Sequence, residues 1–187
     1  GEATLIKTPH GKTILIDAGG LRRLVQTKSG SRPTWSVGEN VILPFLEKQK
    51  IQHIDLAIIT HPDFDHYQGF RSLAQNFSIK EFWMNGMVPE EEEGVRDFFD
   101  FIKSKNVSLN VVKSGEERKI DGVSLLVMGP NFIRPQESSN DNSLVIQILY
   151  KDVKILMTGD VETMAEQRLL KSSWDLRSDV LKMPHHG

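Results

Sequence analysis

The sequence predicts a mixed α/β domain of the α+β kind, in which several strands end in polar loops able to carry chemistry. Three observations predict it. Ile54-Asp55-Leu56-Ala57-Ile58-Ile59-Thr60 is an almost continuous apolar run of strand length, the pattern of a strand covered on both faces. Residues 90–105 place Phe98, Phe99 and Ile102 at helical spacing, a stripe for one buried helix face. Shorter β-prone runs recur before and after, and ligand-type side chains directly follow three of the strands. At 187 residues the chain fits one domain, expected to span 1–187, and 39% hydrophobic with 26% charged residues is the balance of a folded protein rather than a disordered or fibrous one.

Taken in order, residues 3–8 and 13–16 are two β-prone runs flanking Pro9-His10-Gly11-Lys12, and they read as a hairpin. Asp17-Ala18-Gly19-Gly20 ends the second strand. Residues 22–36 are polar, with scattered Gly, Ser and Pro, and read as a surface loop. Residues 41–49 have the spacing of a short amphipathic helix, with Pro44 in its first turn. After the strand at 54–60 come a helix over 67–77, a strand over 79–84 and the helix over 90–105. Glu90-Glu91-Glu92-Glu93 opens that helix, where negative charge complements the macrodipole, so it reads as a solvated helix start rather than a metal site. Strands follow at 108–112, 123–128, 143–149 and 153–157, then a helix at 162–171 and a short strand at 180–183. Trp35, Trp83 and Trp174 read as packing residues rather than base-stacking surfaces. No internal repeat interrupts this order.

Composition narrows the chemistry. With 23 basic against 25 acidic side chains, the formal net charge of -2 gives no overall field to attract nucleic acid, so any polyanion site must be local. The chain has no cysteine, so a metal must be held by His, Asp and Glu. No apolar run approaches the roughly 20 residues that span a bilayer, and no signal-peptide pattern opens the chain. By itself the chain is therefore expected to be soluble. Both ends look cut, since Gly1-Glu2-Ala3 leads straight into a strand and the chain stops at His185-His186-Gly187 in a loop. A fragment of a longer chain is expected.

The chemistry concentrates at the end of the central apolar strand. His61, Asp63, Asp65 and His66 fall within six residues, a density that costs energy unless a positive charge sits among them, because two carboxylates so placed repel. A divalent cation removes that cost. His61 and Asp63, two apart in an extended loop, can face the same way, while Asp65 and His66 sit at a loop-to-helix junction and point differently. Two neighbouring metals, each taking a pair, would use all four. Thr158-Gly159-Asp160 places another carboxylate directly after a strand, with a small residue before it that lets the loop pack closely. His185-His186-Gly187 also follows a strand, where one histidine can ligate and the other contact substrate or support a ligand.

The order of these pieces, strand then His-x-Asp-x-Asp-His, strand then Gly-Asp, strand then His-His-Gly, resembles the metallo-β-lactamase superfamily. Within it, Asp63, Asn140-Asp141-Asn142-Ser143-Leu144-Val145, Thr158-Gly159-Asp160-Val161-Glu162 with Glu166, and Leu181-Lys182-Met183-Pro184-His185-His186-Gly187 look like the ComEC family of DNA-uptake proteins. Gly11-Lys12-Thr13-Ile14-Leu15-Ile16-Asp17-Ala18-Gly19-Gly20 resembles that family's first hairpin. The resemblance implies an αββα sandwich with a metal site at one edge. It further implies attachment to a membrane channel for single-stranded DNA at the extracellular face, and degradation of the strand that is not imported. Carried over by position, His61 and Asp63 serve a first metal, Asp65 and His66 a second, and Asp160 bridges; either His185 or His186 completes the second site.

Two departures bear on the metal. Asp63 stands where most of the superfamily has His, and Asn142 or Ser143 occupies the place of a third His. A site with a carboxylate and a neutral polar group in place of two imidazoles is harder, which favours Mn²⁺ or Mg²⁺ over Zn²⁺ there, while the second site suits Zn²⁺ or Mn²⁺. The expected reaction is phosphodiester hydrolysis on DNA, with Asp65 and Asp160 as catalytic carboxylates and Asn142, Ser143 and Lys182 as substrate contacts. Two rivals are a small-molecule hydrolase of the same fold and a DNA-guiding module whose metal site has decayed.

Overall fold

The computed structural model describes residues 1–20, 35–89 and 93–186. β1 (Thr4–Lys7) and β2 (Thr13–Ile16) form an antiparallel hairpin in which Leu5 faces Leu15. β2 runs parallel to β4 (Leu56–Ile59), β4 to β6 (Glu81–Met84), and β6 to β7 (Ser108–Val111), giving a five-stranded sheet in the order β1-β2-β4-β6-β7. A second five-stranded sheet is built from β8 (Glu117–Ile120), β9 (Val123–Gly129), β10 (Val145–Tyr150), β11 (Val153–Met157) and β12 (Val180–Lys182), in the order β12-β11-β10-β9-β8. Its pairs are antiparallel except β11 with β12. A two-stranded parallel pair, β3 (His53–Ile54) with β5 (Ser78–Ile79), lies apart from both.

Alternation along the strands assigns each sheet its two faces. Ile14, Ile16, Leu56, Ile58 and Trp83 point from the first sheet onto Val123, Leu125, Val127, Ile146, Ile148 and Met157 of the second, forming the layer between them. Leu15, Ala57, Ile59, Phe82 and Met84 point the other way, onto helices α1 (Leu43–Lys48), α2 (Phe64–Asn76) and α3 (Glu93–Ser104). On the far side of the second sheet, α4 (Thr163–Lys171) packs through Ala165 and Leu169 against Met128, Val145 and Leu156. The layers are therefore helix, sheet, sheet, helix. β4 is buried at every position because helices cover one face and the second sheet the other, which is why its sequence lacks polar alternation.

Element boundaries depart from the sequence reading in instructive places. α2 starts at Phe64, not Tyr67, so Asp65 and His66 occupy its first turn, with Asp63 at the N-cap. The helix expected at 41–49 is preceded by a π-turn over Gly38–Ile42 and becomes regular only at Leu43, with Pro44 in its opening positions. β10 begins at Val145, because Asn140–Asn142 form a 3₁₀ turn and the Leu144 N–H donates across to the Thr60 carbonyl at 2.8 Å. β8 was not expected at all. Its signal was Asp121-Gly122, both in the left-handed region, a two-residue hairpin turn joining β8 to β9. Most of the loop read over 22–36, and the Glu90–Glu92 part of the acidic run, lie outside the described residues. Among the described residues no helix is long and apolar enough to cross a membrane.

α2 lies against the end of β2 at backbone distance. A Cβ at Gly69 would stand 1.9 Å from the Ala18 carbonyl oxygen, and the Gly69 N–H donates to the Gly19 carbonyl at 2.9 Å. Only glycine permits that approach.

At the other end of the sheets Asp55 ties β2 to β4. Its carboxylate accepts from Lys80 Nζ at 2.8 Å, Lys12 Nζ at 3.1 Å and the Thr13 N–H at 3.0 Å. Burial alone would raise its pKa, but Lys80, the Thr13 N–H and Lys12 outweigh that and hold it well below the usual carboxylate range. A pKa depressed by folding contributes stability that is fully present above the unfolded value, about 3.9, and is lost progressively as pH falls from there through the lower folded-state value. Urea midpoints measured from pH 6 to pH 3 are therefore expected to show Asp55→Asn less stable than the parent near neutrality, with the gap beginning to narrow below about pH 4. A gap that stays constant with pH removes Asp55 from this account.

Candidate metal centre

The candidate site forms where the C-terminal ends of β2, β4, β11 and β12 meet. β2 delivers Asp17, β4 delivers Thr60 and His61, β11 leads to Asp160, and β12 ends in Lys182. Gly159, with φ of 56°, allows the Asp160 loop to approach the end of β4, since a Cβ there would stand 2.8 Å from Ser143 Cβ and 3.1 Å from Thr60 Cβ. The sequence reading of a small residue that lets this loop pack closely is what the structure shows.

His61, His66 and Asp160 converge, all three buried, with their candidate ligand atoms within 4.8 Å of one another. His66 Nε2 lies 3.2 Å from Asp160 Oδ2, and the two imidazole centroids are 4.0 Å apart. Asp63 and Asp65 are half-exposed at the rim: Asp63 Oδ2 is 3.8 Å from His61 Nε2, and Asp65 Oδ2 is 4.0 Å from His66 Nε2. Although Asp63 occupies the N-cap of α2, its side chain makes no capping hydrogen bond. An N-cap aspartate ordinarily accepts from the second or third helical N–H. Here the carboxylate is turned toward His61 instead.

Sequence reasoning missed Asp17, which orients both imidazoles. It is 2% exposed and held at φ of 57°. Asp17 Oδ2 faces His66 Nδ1 at 2.9 Å and accepts from the Thr60 hydroxyl at 2.8 Å, while Oδ1 accepts from the Thr60 N–H at 2.9 Å. Because the Thr60 hydroxyl spends its proton on Asp17, it accepts from His61 Nδ1, 3.0 Å away. That assigns the proton of His61 to Nδ1 and turns the lone pair of Nε2 into the cluster. His61 Nε2 is buried and makes no hydrogen bond, a costly condition unless a cation takes the lone pair. A carboxylate behind a ligating imidazole is the usual supporting arrangement for a metal ligand. The signal for Asp17 in the sequence was an aspartate ending an apolar strand ahead of Gly19-Gly20.

Electrostatics match. Burial, with the charge of His66 beside it, lowers the pKa of His61, so its imidazole is neutral at pH 7. Burial opposes protonation of His66 too, but hydrogen bonds to Asp160 and Asp17 prevail and its pKa is pushed up to about 10. Burial would raise Asp160, yet the hydrogen bond and charge of His66 hold it far below the ordinary range. In the metal-free protein a proton on His66 thus carries positive charge that a cation would replace. Two imidazoles and a carboxylate converging, with Asp63 and Asp65 at the rim, fit a divalent ion of the first transition row.

The remaining residues expected at the site take other places. Asn142 is fully buried, its Oδ1 accepting from the Arg134 N–H at 2.8 Å and its Nδ2 donating to the carbonyls of Arg134 at 3.0 Å and Ser138 at 2.9 Å. Its amide folds the 134–142 loop, which corrects the expectation of a substrate contact. Ser143 is buried and its hydroxyl accepts from the Asp160 N–H at 3.2 Å, so it supports the Asp160 loop rather than facing substrate. Asp141, not singled out in the sequence, caps α4 by accepting from the N–H groups of Glu162 at 3.1 Å and Ala165 at 2.8 Å. His185 stands outside the cluster, 55% exposed, with Nδ1 3.6 Å from Glu162 Oε1 and a left-handed backbone at φ of 51°. The side chain of His186 lies outside the described residues. Glu2, also missed, joins Asp17 and His66 in a second convergence of ligand-type atoms within 4.8 Å.

Comparison with known proteins agrees with this fold. A sequence profile described as the metallo-beta-lactamase superfamily matches residues 1–187. ComE operon protein 3 of Bacillus subtilis is 30% identical over 196 residues, covering 100% of this chain and 24% of that protein. Competence protein ComA of Neisseria gonorrhoeae is 30% identical over 182 residues, covering 91% of this chain and 23% of that protein. The chain thus spans about a quarter of the length of these relatives. Among solved structures, Zn(2+)-bound PqqB from Methylobacterium extorquens superposes with a TM-score of 0.53 at 12% identity, over 90% of this chain and 56% of that one, a likeness of fold.

Proposed function

This chain belongs to the metallo-beta-lactamase superfamily, and from that premise we propose that it is a divalent-metal-dependent phosphodiesterase that cleaves DNA during competence-type DNA uptake. The observation that carries the metal dependence is the buried lone pair of His61 Nε2, directed at His66 and Asp160. The likeness to proteins named for competence supports DNA as the substrate, and the resemblance to the ComEC family implies the non-imported strand as the one degraded. In this reading the chain would be part of a larger polypeptide, at the extracellular face of a membrane channel, as its resemblance to the ComEC family implies.

His61, His66 and Asp160 would hold the ion, with Asp63 and Asp65 closing in from the rim and His185 reaching it only after a rearrangement of the final turn. One ion or two, Mn²⁺ or Zn²⁺, are the groups this donor set suits, each imidazole having one rim carboxylate beside it. Such a cation supplies Lewis acidity, drawing charge from a phosphoryl oxygen and acidifying water. Asp17 keeps both imidazoles aligned through Thr60 and the Nδ1 contact. Asp65, in the first turn of α2 and open to solvent, orients the attacking water and takes its proton. One P–O bond forms from that water, one ester P–O bond breaks, and the leaving oxygen ends protonated.

The test is cleavage of single-stranded DNA with added Mn²⁺, alongside elemental analysis. Parent protein is expected to cleave only with the metal, and Asp65→Ala to lose on the order of 10² to 10⁴ in rate, the range for loss of a general base, while still binding metal, more weakly, through His61, His66 and Asp160. Metal-independent cleavage, or full activity in Asp65→Ala, overturns the assignment. A metal-loaded chain that leaves DNA intact but hydrolyses a lactam or thioester moves it to the small-molecule reading.

A further inference from the structure

Lys182 was expected to contact a phosphate. Its surroundings assign it elsewhere. It is the last residue of β12, its carbonyl accepts from the Thr158 hydroxyl at 2.8 Å, and its side chain is only 16% exposed. The ammonium lies 2.6 Å from the Gly159 carbonyl, 3.2 Å from Asp160 Oδ1 and 2.5 Å from Glu2 Oε1. An ammonium has three N–H donors, and three oxygens surround this one.

The consequence falls on Asp160. One of its oxygens faces Lys182 and the other faces His66, so rotating the carboxyl group would break a contact on either side. Lys182 is held in turn. Glu2 takes its charge from the opposite side, and the Glu2 carbonyl accepts from the Gly19 N–H at 2.8 Å, anchoring the acid beside the Asp17 loop. The chain Glu2, Lys182, Asp160, His66, Asp17 runs across both sheets and alternates in charge.

We propose that Lys182, backed by Glu2, is a positioning residue that sets the Asp160 carboxylate for the metal, and is not a phosphate-binding group. This rests on the metal centre proposed above and adds two residues to it. A free lysine beside the site would serve substrate. A lysine spent on a loop carbonyl, a buried carboxylate and a second acid serves the ligand. Removing its ammonium takes away one of the contacts that fix the Asp160 carboxylate and leaves the half-buried Glu2 without its cation.

The probe is Mn²⁺ alone, titrated calorimetrically into the whole 187-residue chain, so that no DNA assay enters. Lys182→Met keeps the aliphatic stem and removes the donors. Its Mn²⁺ affinity is expected to fall by about 10- to 100-fold, the effect usual for residues supporting a metal ligand, with Lys182→Arg recovering most of the loss. Glu2→Gln is expected to weaken Mn²⁺ in the same direction by a few-fold. A Lys182→Met protein that binds Mn²⁺ within twofold of the parent but needs more DNA for half-maximal rate overturns the proposal in favour of phosphate contact. Should Lys182→Met fail to fold, Glu2→Gln decides, and unchanged Mn²⁺ affinity there overturns it. A parent protein that binds no Mn²⁺ overturns both readings, whereas one that binds Mn²⁺, responds to these substitutions and cleaves no DNA upholds this inference against the nuclease assignment.

Discussion

Asp160→Asn is expected to abolish tight divalent-metal binding and to cut metal-dependent hydrolysis by about 10³-fold, the equivalent of roughly 4 kcal/mol of lost charge stabilisation. Size and shape barely change, so the loss comes from charge. Asp160 is 3% exposed and faces both His66 Nε2 and Lys182 Nζ, each at 3.2 Å. An amide there cannot balance either cation, and its nitrogen is a poor ligand. The buried lone pair of His61 Nε2 would then adjoin a neutral group, with only the rim carboxylates left to attract an ion. Elemental analysis of the dialysed variant, with a Mn²⁺ titration and the DNA assay, checks the outcome. Parent-like metal content in Asp160→Asn would remove this aspartate from the centre.

The second large effect is expected at a residue that touches no ligand. Gly69→Ala places a methyl group 1.9 Å from the Ala18 carbonyl oxygen, 2.9 Å from its carbonyl carbon and 3.1 Å from its Cβ. The first two are backbone atoms, so no rotamer relieves the contact and α2 must move away from β2. Overpacking of this kind costs about 3 kcal/mol, which for a chain of this size lowers Tm by about 6 to 12 °C. The displacement also reaches the site, because Ala18 follows Asp17 and its N–H donates to the His66 carbonyl at 2.8 Å. Weaker Mn²⁺ binding is therefore expected even well below the melting transition. A thermal melt indistinguishable from the parent would mean that α2 does not approach β2 this closely.

These two positions show what could be read in advance. Asp160 was legible because a carboxylate immediately after an apolar strand, with glycine before it, is a pattern of adjacent residues. The run His61 to His66 was legible for the same reason, and β4 delivers it to the end of a strand buried on both faces as its composition implies. Gly69 was not legible, since a glycine inside a helix shows nothing of the strand end it will press against. Asp17 and Glu2 were hidden likewise: Asp17 is 43 residues from Thr60 and 49 from His66 along the chain, yet bonds to both.

Local pattern by itself determined most of the order of strands and helices, β8 excepted, the burial of β4 on both faces and the cluster of ligand-type side chains, because periodicity and adjacency follow from backbone geometry alone. Only the tertiary structure decided which residues orient the imidazoles and which surround Asp160. It also placed polar atoms of Asn142, Ser143 and Lys182 in contacts within the protein. The physical reason is that a hydrogen bond or an ion pair depends on separations of about 3 Å, and folding sets those separations without regard to distance along the chain.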